Sequence, residues 1–452
     1  MTQASLPQKL FVTACAVTRS TNVAARWTGA APFLPALFVL RYANMGGLDH
    51  SLFAAQIRGA RSFRDDRWCS YWNRIADTHA RRATDLLRHL AGTDAAAVPD
   101  LTDPSRATAA ENVDGLTALI APAAALFADH GPQPDTRTLS ALVDEYTPAS
   151  DRGRTTSAFT AIDAWVKAIT YYQVSAFPGH DPHRMKAYWR SRHLFDALIG
   201  AVVPTLGLSV EHVDVPLDDG DTVGGYLVVP PGPSPHPVVL TTNGLEGTVQ
   251  ELAIPQLRYR DSGMAMFLME MPGSYAYTHP MAPQSEAVYH RVIEHLAHDQ
   301  RLDADRIAMV GVSFGGYWTA RLAATNDRLA CAIACGAPTH RSFHGGALGT
   351  PQIILHALAK TVGAAHPIDL VRKLRALSIE DLYSRITMPL LVINGDHDTL
   401  MSTQDSSDLA HAAANATLLL YPDDDHCAMG HYRQWLDYSQ QWLMKHLPII
   451  AN

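Results

Sequence analysis

The chain has 452 residues, of which 47% are hydrophobic, and carries a net charge of −8. This length predicts two or three domains with well-filled cores. The acidic balance, without any basic block, excludes nucleic acid as an expected partner. Five cysteines without regular spacing favour a reducing compartment over a disulfide framework.

Two apolar stretches near the N-terminus resemble targeting segments. Leu10–Val17 follows Lys9, and we interpret it as too short for a secretory signal. Pro32–Leu40 is interrupted by Pro35 and halts at Arg41, well below membrane-spanning length. We therefore expect a cytoplasmic protein that has no membrane partner.

Residues 1–206 have a helical pattern and are predicted to form a cap domain. Apolar residues recur at spacings of three, four or seven from Trp68 to Leu90. A second stripe runs from Phe159 to Ile169, and a third helix is predicted from Pro182 to about Ile199. The stretch Thr93–Ala110, rich in Ala, Asp, Pro and Thr, predicts a loop.

Residues 207–452 alternate between strands and helices, which predicts a mainly parallel α/β sheet with helices on both faces. Strands are predicted at Val210–Val215, Gly224–Val229, Val238–Thr242, Met264–Met269, Ile307–Val312, Leu329–Ala334, Leu390–Ile393 and Ala416–Leu420. The five prolines of Pro230–Pro237 predict an exposed connection, because so many prolines cannot lie in a sheet. An insertion at about residues 339–386 contains two helical stretches and is expected to form a lid together with the N-terminal helices.

A G-x-S-x-G pentapeptide follows the predicted strand Ile307–Val312 and precedes a helix-compatible stretch. Strand, tight turn and helix form the context of a nucleophile elbow, in which the serine lies at the tip of a strained turn. Side chains at Gly311 or Gly315 would collide with the neighbouring strand or helix. Ser313 is therefore the predicted nucleophile, and a chance pentapeptide in a glycine-containing turn is the competing interpretation.

A serine nucleophile needs a base, and the base needs an orienting acid; in such a fold the chain order is Ser, Asp or Glu, His. The turn after strand Leu390–Ile393 offers Asp396 and Asp398, and the turn after the last strand offers His426. We predict Asp398 as the acid, because three residues beyond the turn glycine it can clear the strand end; Asp396 is the alternative. Either aspartate could instead cap the next helix, and His426 could be one of 22 histidines in a solvated loop.

The predicted oxyanion donors are the backbone N–H groups of Phe314, which follows the nucleophile, and of Leu245, in the loop after the third strand. Gly244 allows the backbone to turn close to the substrate. The neighbouring Glu246 either handles protons or a polar substrate group, or serves the N-terminus of the next helix. Both interpretations of Glu246 stay open.

No cofactor and no metal are expected. The chain has no dinucleotide-binding fingerprint and no Walker A sequence. His397, Asp398, Asp425 and His426 resemble metal ligands only superficially, because they already supply a metal-free triad and none of them lies in an H-x-x-x-H or C-x-x-C motif.

The chain resembles α/β-hydrolases of the group that includes FrsA-like esterases, pseudooxynicotine-type C–C hydrolases and fungal hydrolases that shorten polyketide pigment precursors. The resemblance runs from about Tyr188 to the C-terminus and rests on Ala187-Tyr188-Trp189-Arg190, Asn243-Gly244-Leu245-Glu246, Met271-Pro272-Gly273, the segment Gly311 to Tyr317, Gly395-Asp396-His397-Asp398 and Asp424-Asp425-His426-Cys427. It implies the triad Ser313, Asp398 and His426, a helical cap that helps to form the substrate pocket, and a homodimer. One departure is Asn243, where many relatives have a second glycine.

The expected activity is serine-triad hydrolysis at an acyl centre of a bulky aromatic or polyketide-like small molecule. The resemblance implies cleavage of a C–C bond next to a carbonyl, and an ester is the near alternative. Acyl transfer or cyclisation through the same acyl-enzyme is a second hypothesis, and a non-catalytic binding role is a third.

Overall fold

The computed structural model describes residues 5–35, 37–103, 108, 110–132, 138–218, 220–345 and 348–448. Its N-terminal part contains helices at Leu6–Val17, Thr21–Thr28, Phe38–Gly46, His50–Gly59, Asp65–Ala91, Ala110–His130, Leu139–Tyr146, Arg152–Ala176 and Pro182–Thr205. The predicted helical region is therefore confirmed. The predicted loop Thr93–Ala110 lies partly in a 3₁₀ turn, Gly92–Ala97, and its residues 104–107 and 109 lie outside the described residues.

The three longest helices form the centre of this N-terminal part. Trp68 is fully buried between two of them, and its Nε1–H donates to the carbonyl of Val174 at 3.1 Å. Trp165 is also fully buried, and its Nε1–H donates to the carbonyl of Leu194 at 3.1 Å. Large buried aromatic side chains with a bonded polar end therefore fix how these helices pack.

The C-terminal part contains an eight-stranded sheet. Its strands are β1 Ser209–Pro216, β2 Thr222–Val229, β3 His236–Thr242, β4 Ala265–Met269, β5 Leu302–Val312, β6 Leu329–Cys335, β7 Leu390–Gly395 and β8 Ala416–Tyr421. The strand order is β1-β2-β4-β3-β5-β6-β7-β8; β2 is antiparallel to both of its neighbours, and the other pairs are parallel. Each predicted strand corresponds to one of these, and the α/β-hydrolase fold is confirmed.

Helices cover both faces of the sheet, at Val249–Gln256, Glu286–His298, Phe314–Thr325, Arg341–His344, Gln352–Thr361, Pro367–Arg375, Thr403–Ala412 and Tyr432–His446. One apolar cluster contains Phe267 and Trp318, and another contains Ile333 and Trp435. Strands buried on both faces explain the nearly continuous apolar runs of β3 to β7. Across the described ranges, no helix is both long and apolar enough to cross a membrane.

The prediction that the whole of Pro230–Pro237 lies in an exposed connection is wrong at both ends, because Pro230 is buried and the last two residues belong to a strand. Strand β3 begins at His236, and Pro237 is buried within it. The register of β3 against β5 shifts between His236 and Val238. The N–H that proline lacks therefore falls at an irregularity of the ladder, where it is tolerated.

The largest apolar cluster extends across residue 206, the predicted domain boundary. It contains Trp165 and Phe195 from the N-terminal helices together with Leu252 and Leu268 from the sheet-containing part. The two parts therefore share a buried apolar surface, which we call the junction.

Candidate active site

Ser313 lies at the turn between β5 and the helix Phe314–Thr325, with φ 59° and ψ −122°. This backbone conformation is strained for a residue other than glycine. A Cβ atom on Gly311 would lie 2.0 Å from the carbonyl oxygen of Gly315, and a Cβ atom on Gly315 would lie 2.5 Å from that of Thr242. The crowding expected from the pentapeptide is therefore present.

Ser313, His426 and Asp398 form one chain of hydrogen bonds. His426 Nε2 lies 2.9 Å from Ser313 Oγ, and His426 Nδ1 lies 2.7 Å from Asp398 Oδ2. The side chains of His426 and Asp398 are 4% and 0% exposed. In such an arrangement the imidazole can take the hydroxyl proton while the carboxylate holds the ring in the required orientation.

The Asp398 carboxylate accepts hydrogen bonds at both of its oxygens. Oδ1 accepts from the backbone N–H groups of Leu400 and Met401, at 2.8 Å each. Oδ2 accepts from Asn394 Nδ2 at 3.0 Å as well as from the imidazole. These donors stabilise the ionised form and fix its direction.

Burial and charge act in opposite directions on this pair. Burial raises the pKa of Asp398, but His426 and the hydrogen-bond donors hold that pKa below its ordinary value. Burial lowers the pKa of His426, but its interactions with Asp398 and Cys427 together outweigh burial and raise the pKa of the imidazole well above its ordinary value. Asp396, the alternative acid, is paired with His397 instead, and this hydrogen bond lowers the pKa of Asp396.

The loop that carries His426 is tied to the loop that carries the acid. Asp425 Oδ1 accepts from the backbone N–H groups of His426 at 2.8 Å and of Thr399 at 2.7 Å. Asn394 Oδ1 accepts from the N–H of Cys427, which has a positive φ of 58°, at 2.9 Å. The sequence analysis missed the positioning contacts of Asn394 and Asp425, although their place at strand ends beside predicted site residues was an available signal.

The oxyanion loop lies against the elbow. A Cβ atom on Gly244 would lie 2.5 Å from Ser313 Cβ and 3.0 Å from the backbone nitrogen of Phe314. Phe314 begins a helix, so its N–H has no acceptor within that helix. Leu245 follows Gly244 in the same loop. Asn243, which replaces the second glycine, donates from Nδ2 to a carbonyl of this loop at 2.6 Å and so closes it.

Glu246 is buried at the junction and has a positive φ of 56°. Its Oε2 accepts from the backbone N–H of Gly179 at 2.8 Å, and its Oε1 lies 3.8 Å from His180 Nε2. Arg41 Nη2 donates to its carbonyl oxygen at 3.1 Å. The N-terminus of the next helix is bonded by Glu270 and not by Glu246. The Glu270 carboxylate accepts the N–H of Val249, the first residue of that helix, at 3.3 Å. No pattern in the sequence pointed to Arg41 or His180.

The four residues that resembled metal ligands have different partners in the fold, and Asp398 and His426 bond each other. His397 is paired with Asp396 at an exposed turn, whereas Asp425 binds the backbone of the neighbouring loop. In the part of the chain that the structure describes, no group of three His, Cys, Asp or Glu side chains is arranged to hold a metal ion.

Comparisons with known proteins give the same picture of the fold. Hydrolase LUC6 of Fusarium sp is 28% identical over 326 residues, which cover 59% of this chain and 74% of the relative. The 2,6-dihydropseudooxynicotine hydrolase of Paenarthrobacter nicotinovorans is 27% identical over 264 residues, covering 56% of this chain and 68% of the relative. The crystal structure of 2,6-dihydroxy-pseudo-oxynicotine hydrolase matches with a TM-score of 0.56 at 22% identity, covering 74% of this chain and 95% of that one, and shares its fold.

A family profile assigns the chain. The profile described as "Esterase FrsA-like" matches residues 149–448, about two thirds of the sequence. This match includes the elbow, both loops that follow β7 and β8, and the last two long helices of the N-terminal part. The chain is therefore a hydrolase of the α/β fold and belongs to the FrsA-like family.

Proposed function

We propose that the chain is a serine hydrolase that cleaves an acyl bond in a bulky aromatic or polyketide-like small molecule. Ser313 is the nucleophile, His426 the general base and Asp398 the residue that orients it. The observation that carries this proposal is the continuous chain of hydrogen bonds from Ser313 Oγ through His426 to Asp398.

The proposed reaction has two stages. His426 takes the hydroxyl proton as Ser313 attacks the acyl carbon, and the N–H groups of Phe314 and Leu245 stabilise the oxyanion. The imidazolium then gives its proton to the leaving group. In the second stage His426 activates water, which hydrolyses the acyl-enzyme. The raised pKa of His426 supports this role, because Asp398 stabilises the imidazolium that each stage requires.

Contacts between the insertion and the elbow support the proposal that the insertion forms a lid. Its Phe343 packs against Phe314 with ring centroids 6.0 Å apart, and against Tyr317 at 5.7 Å. We propose residues 1–206 as the cap domain, 207–452 as the catalytic domain and about 339–386 as the lid. A lid that excludes water favours an apolar substrate of some bulk. A very dry site would also favour acyl transfer or cyclisation over hydrolysis.

The bond cleaved is proposed to be a C–C bond next to a carbonyl, as the resemblance to C–C hydrolases implies, and an ester is the alternative. A C–C leaving group needs a proton delivered to carbon, so substrate orientation matters more than it does for an ester.

The experiment that tests the proposal is intact mass spectrometry after exposure to a fluorophosphonate probe. We expect one adduct on the wild type and on Ser209→Ala, an exposed strand residue, and no adduct on Ser313→Ala. An adduct retained by Ser313→Ala contradicts the nucleophile assignment. No adduct on any of the three proteins favours the non-catalytic binding role.

A homodimer formed through the N-terminal helices stays a prediction. The large apolar side chains Val17, Val23 and Trp27 are 78%, 57% and 84% exposed on the first two helices, which supports a covered surface there. Light scattering should give the mass of two chains for the wild type and of one chain for Trp27→Glu. A monomeric wild type at high concentration contradicts the prediction.

A further inference from the structure

One helix of the N-terminal part, Phe38–Gly46, contacts two loops of the candidate active site. Its Arg41 Nη2 donates to the carbonyl oxygen of Glu246 at 3.1 Å, 205 residues away along the chain. Its Asn44 Nδ2 donates to the carbonyl oxygen of Met429 at 2.7 Å, 385 residues away. Residues three apart lie on the same side of a helix, so one helical face makes both contacts.

The first contact ends in the oxyanion loop. Glu246 directly follows Leu245, whose N–H is a predicted oxyanion donor, and a Cβ atom on Gly244 would lie 2.5 Å from Ser313 Cβ. Glu246 has a positive φ of 56°, which is strained for a residue other than glycine. Arg41 bonds the carbonyl of this strained residue and so stabilises the conformation of the loop.

The second contact ends in the loop His426–His431, which we call the base loop. Cys427 and the residue after it have positive φ values of 58° and 48°, so strain of the same kind occurs twice in this loop. Met429 comes next, and its carbonyl accepts from Asn44. Met45, the following helix residue, belongs to the same buried apolar cluster as Cys427 and Met429. A hydrogen bond and apolar packing therefore both hold the base loop against the helix.

The helix is itself anchored to the rest of the N-terminal part. Thr170 Oγ1, on the long helix Arg152–Ala176, donates to the carbonyl of Gly46 at 3.1 Å, and a Cβ atom on Gly46 would lie 2.3 Å from Thr170 Cγ2. Phe38 packs against Phe177 with ring centroids 4.9 Å apart. Packing this close leaves the helix little freedom to move. A fixed helix sets the positions of both loops relative to each other.

The two contacts differ in how much they contribute to holding the molecule together. The Arg41 guanidinium also donates to both carboxylate oxygens of Glu251, at 3.1 and 2.8 Å, so its loss affects stability as well as the loop. Asn44 is neutral and half-buried, and a single neutral hydrogen bond contributes little net stability. Substitution of Asn44 therefore separates a positioning role from a stabilising one.

We propose that the helix Phe38–Gly46 positions the catalytic centre, with Arg41 holding the oxyanion loop and Asn44 holding the base loop. This inference rests on the proposed function, because it concerns the same centre at Ser313. The helix precedes residue 149, where the family match begins. Arg41 and Asn44 are positioning residues: they keep the oxyanion donors and the catalytic imidazole beside the nucleophile without touching substrate.

The test measures how fast a fluorophosphonate labels the protein, because labelling needs the serine, the base and the oxyanion donors but not the native substrate. Intact mass spectrometry over time and probe concentration gives kinact and KI. The variants are Asn44→Ala and Asn44→Asp, the second of which replaces the donor with an acceptor of the same shape. We expect both to lower kinact about 10-fold with KI unchanged, because a displaced base slows the reaction and not the binding of the probe.

The matched control is Asn22→Ala. Asn22 Oδ1 accepts the N–H of Phe63 at 2.8 Å, a contact that lies wholly within the N-terminal part. This variant should lower thermal stability and leave kinact unchanged. Equal losses of kinact in Asn22→Ala and Asn44→Ala overturn the proposal, and so does a wild-type kinact in Asn44→Asp.

A second measurement, hydrogen exchange of backbone amides, decides the case in which the wild type is not labelled. We expect Asn44→Ala to speed exchange in peptides that cover residues 424–431, and Arg41→Met to speed it in peptides that cover residues 243–248. Asn22→Ala should change neither loop. Unchanged exchange in the loop that a substitution targets overturns the proposal. Failure of the proposed function looks different: the wild type then gives no adduct, or Ser313→Ala keeps one.

Discussion

Two regions of the molecule handle buried charge differently: the edge of the sheet that carries Ser313, and the junction with the N-terminal helices. At the sheet edge, both oxygens of Asp398 accept hydrogen bonds, and each donor comes from β7, from the residues just after Asp398 or from His426. At the junction, Glu246 has a bonded oxygen and an unbonded one, and the partner Gly179 lies 67 residues away along the chain. Complete bonding at the sheet edge favours a fixed geometry for chemistry, whereas the carboxylate at the junction keeps one acceptor oxygen without a hydrogen bond.

Substitutions in the two regions should also differ in whether they change activity alone or activity and stability together. Changes at the sheet edge should abolish turnover and leave the fold intact, because the strands that carry the loops are buried on both faces. Changes at the junction should affect both, because its ion pairs join the two parts of the chain. The following predictions, from the largest expected effect to the smallest, test this contrast.

The largest contrast lies within one turn of the sheet edge. We expect Asp398→Asn to lower kcat about 10⁴-fold, because the amide cannot hold His426 in the right tautomer. Asp396→Asn should change kcat less than about 3-fold, because Asp396 pairs with the exposed His397. Steady-state kinetics on one ester measure both. An intact rate in Asp398→Asn together with a collapsed rate in Asp396→Asn reverses the acid assignment.

Gly244→Ala tests the approach of the oxyanion loop to the elbow. The new methyl group would lie 2.5 Å from Ser313 Cβ and must push the loop away. We expect kcat to fall about 10²- to 10³-fold, the effect of losing one oxyanion donor. Gly153→Ala, where a Cβ atom meets nothing within 4 Å, is the control and should be neutral. An active Gly244→Ala enzyme means that this loop does not bind the oxyanion.

Arg41→Met tests the junction. It leaves the buried Glu251 carboxylate, 3% exposed, without its cation at 2.8 Å. Breaking a buried pair in this way should lower the free energy of unfolding by about 3 kcal/mol, measured by urea denaturation. Arg64→Met removes an exposed pair with Asp66 and should change it by less than about 0.5 kcal/mol. Equal effects of the two substitutions would mean that the junction pair does not hold the two parts together.

Asn394→Ala is expected to have a smaller effect on activity. It removes one donor to the Asp398 oxygen that binds His426 and the acceptor of the Cys427 N–H. We expect kcat to fall about 10-fold with KM unchanged, because the base loop keeps its contacts to Asp425. A rise in KM at constant kcat would show that Asn394 acts on substrate binding instead.

The smallest predicted effect is a shift of the acid limb in the pH profile of kcat/KM, which is the range in which activity is lost as the pH falls. The base must be neutral, and the pKa of His426 is raised, so kcat/KM should be lost as the pH falls through a value above the ordinary imidazole pKa of about 6.5. Asp398→Asn should move this limb to lower pH, because the carboxylate that stabilises the imidazolium is gone. A wild-type limb at or below about pH 6.5 contradicts the raised pKa of His426.

Much of the sheet edge was predictable because its chemistry is local in the chain. The elbow needs Gly311, Ser313 and Gly315 within five residues, and a parallel sheet brings the turns after successive strands to one edge. Asp398 and His426 could therefore be named without coordinates. Their catalytic roles stay predictions until they are measured.

The errors and omissions have a common physical origin. Pro237 lies in β3 because a register shift tolerates it, and a register shift is a property of two strands together. Asn394 and Asp425 position the site through contacts between loops, which neither loop's sequence specifies. Local patterns therefore gave strand positions to within a few residues but not the bonds between strand ends.

The sequence by itself determined the helical N-terminal part, the alternation of strands and helices, and the elbow at Ser313, because periodicity and turn chemistry act over a few residues. Only the tertiary structure brought Arg41 to Glu251, 210 residues away, and His180 to Glu246. Those contacts follow from how the N-terminal helices pack on the sheet. That packing is set by the shape of a shared apolar core, which no short pattern in the chain encodes.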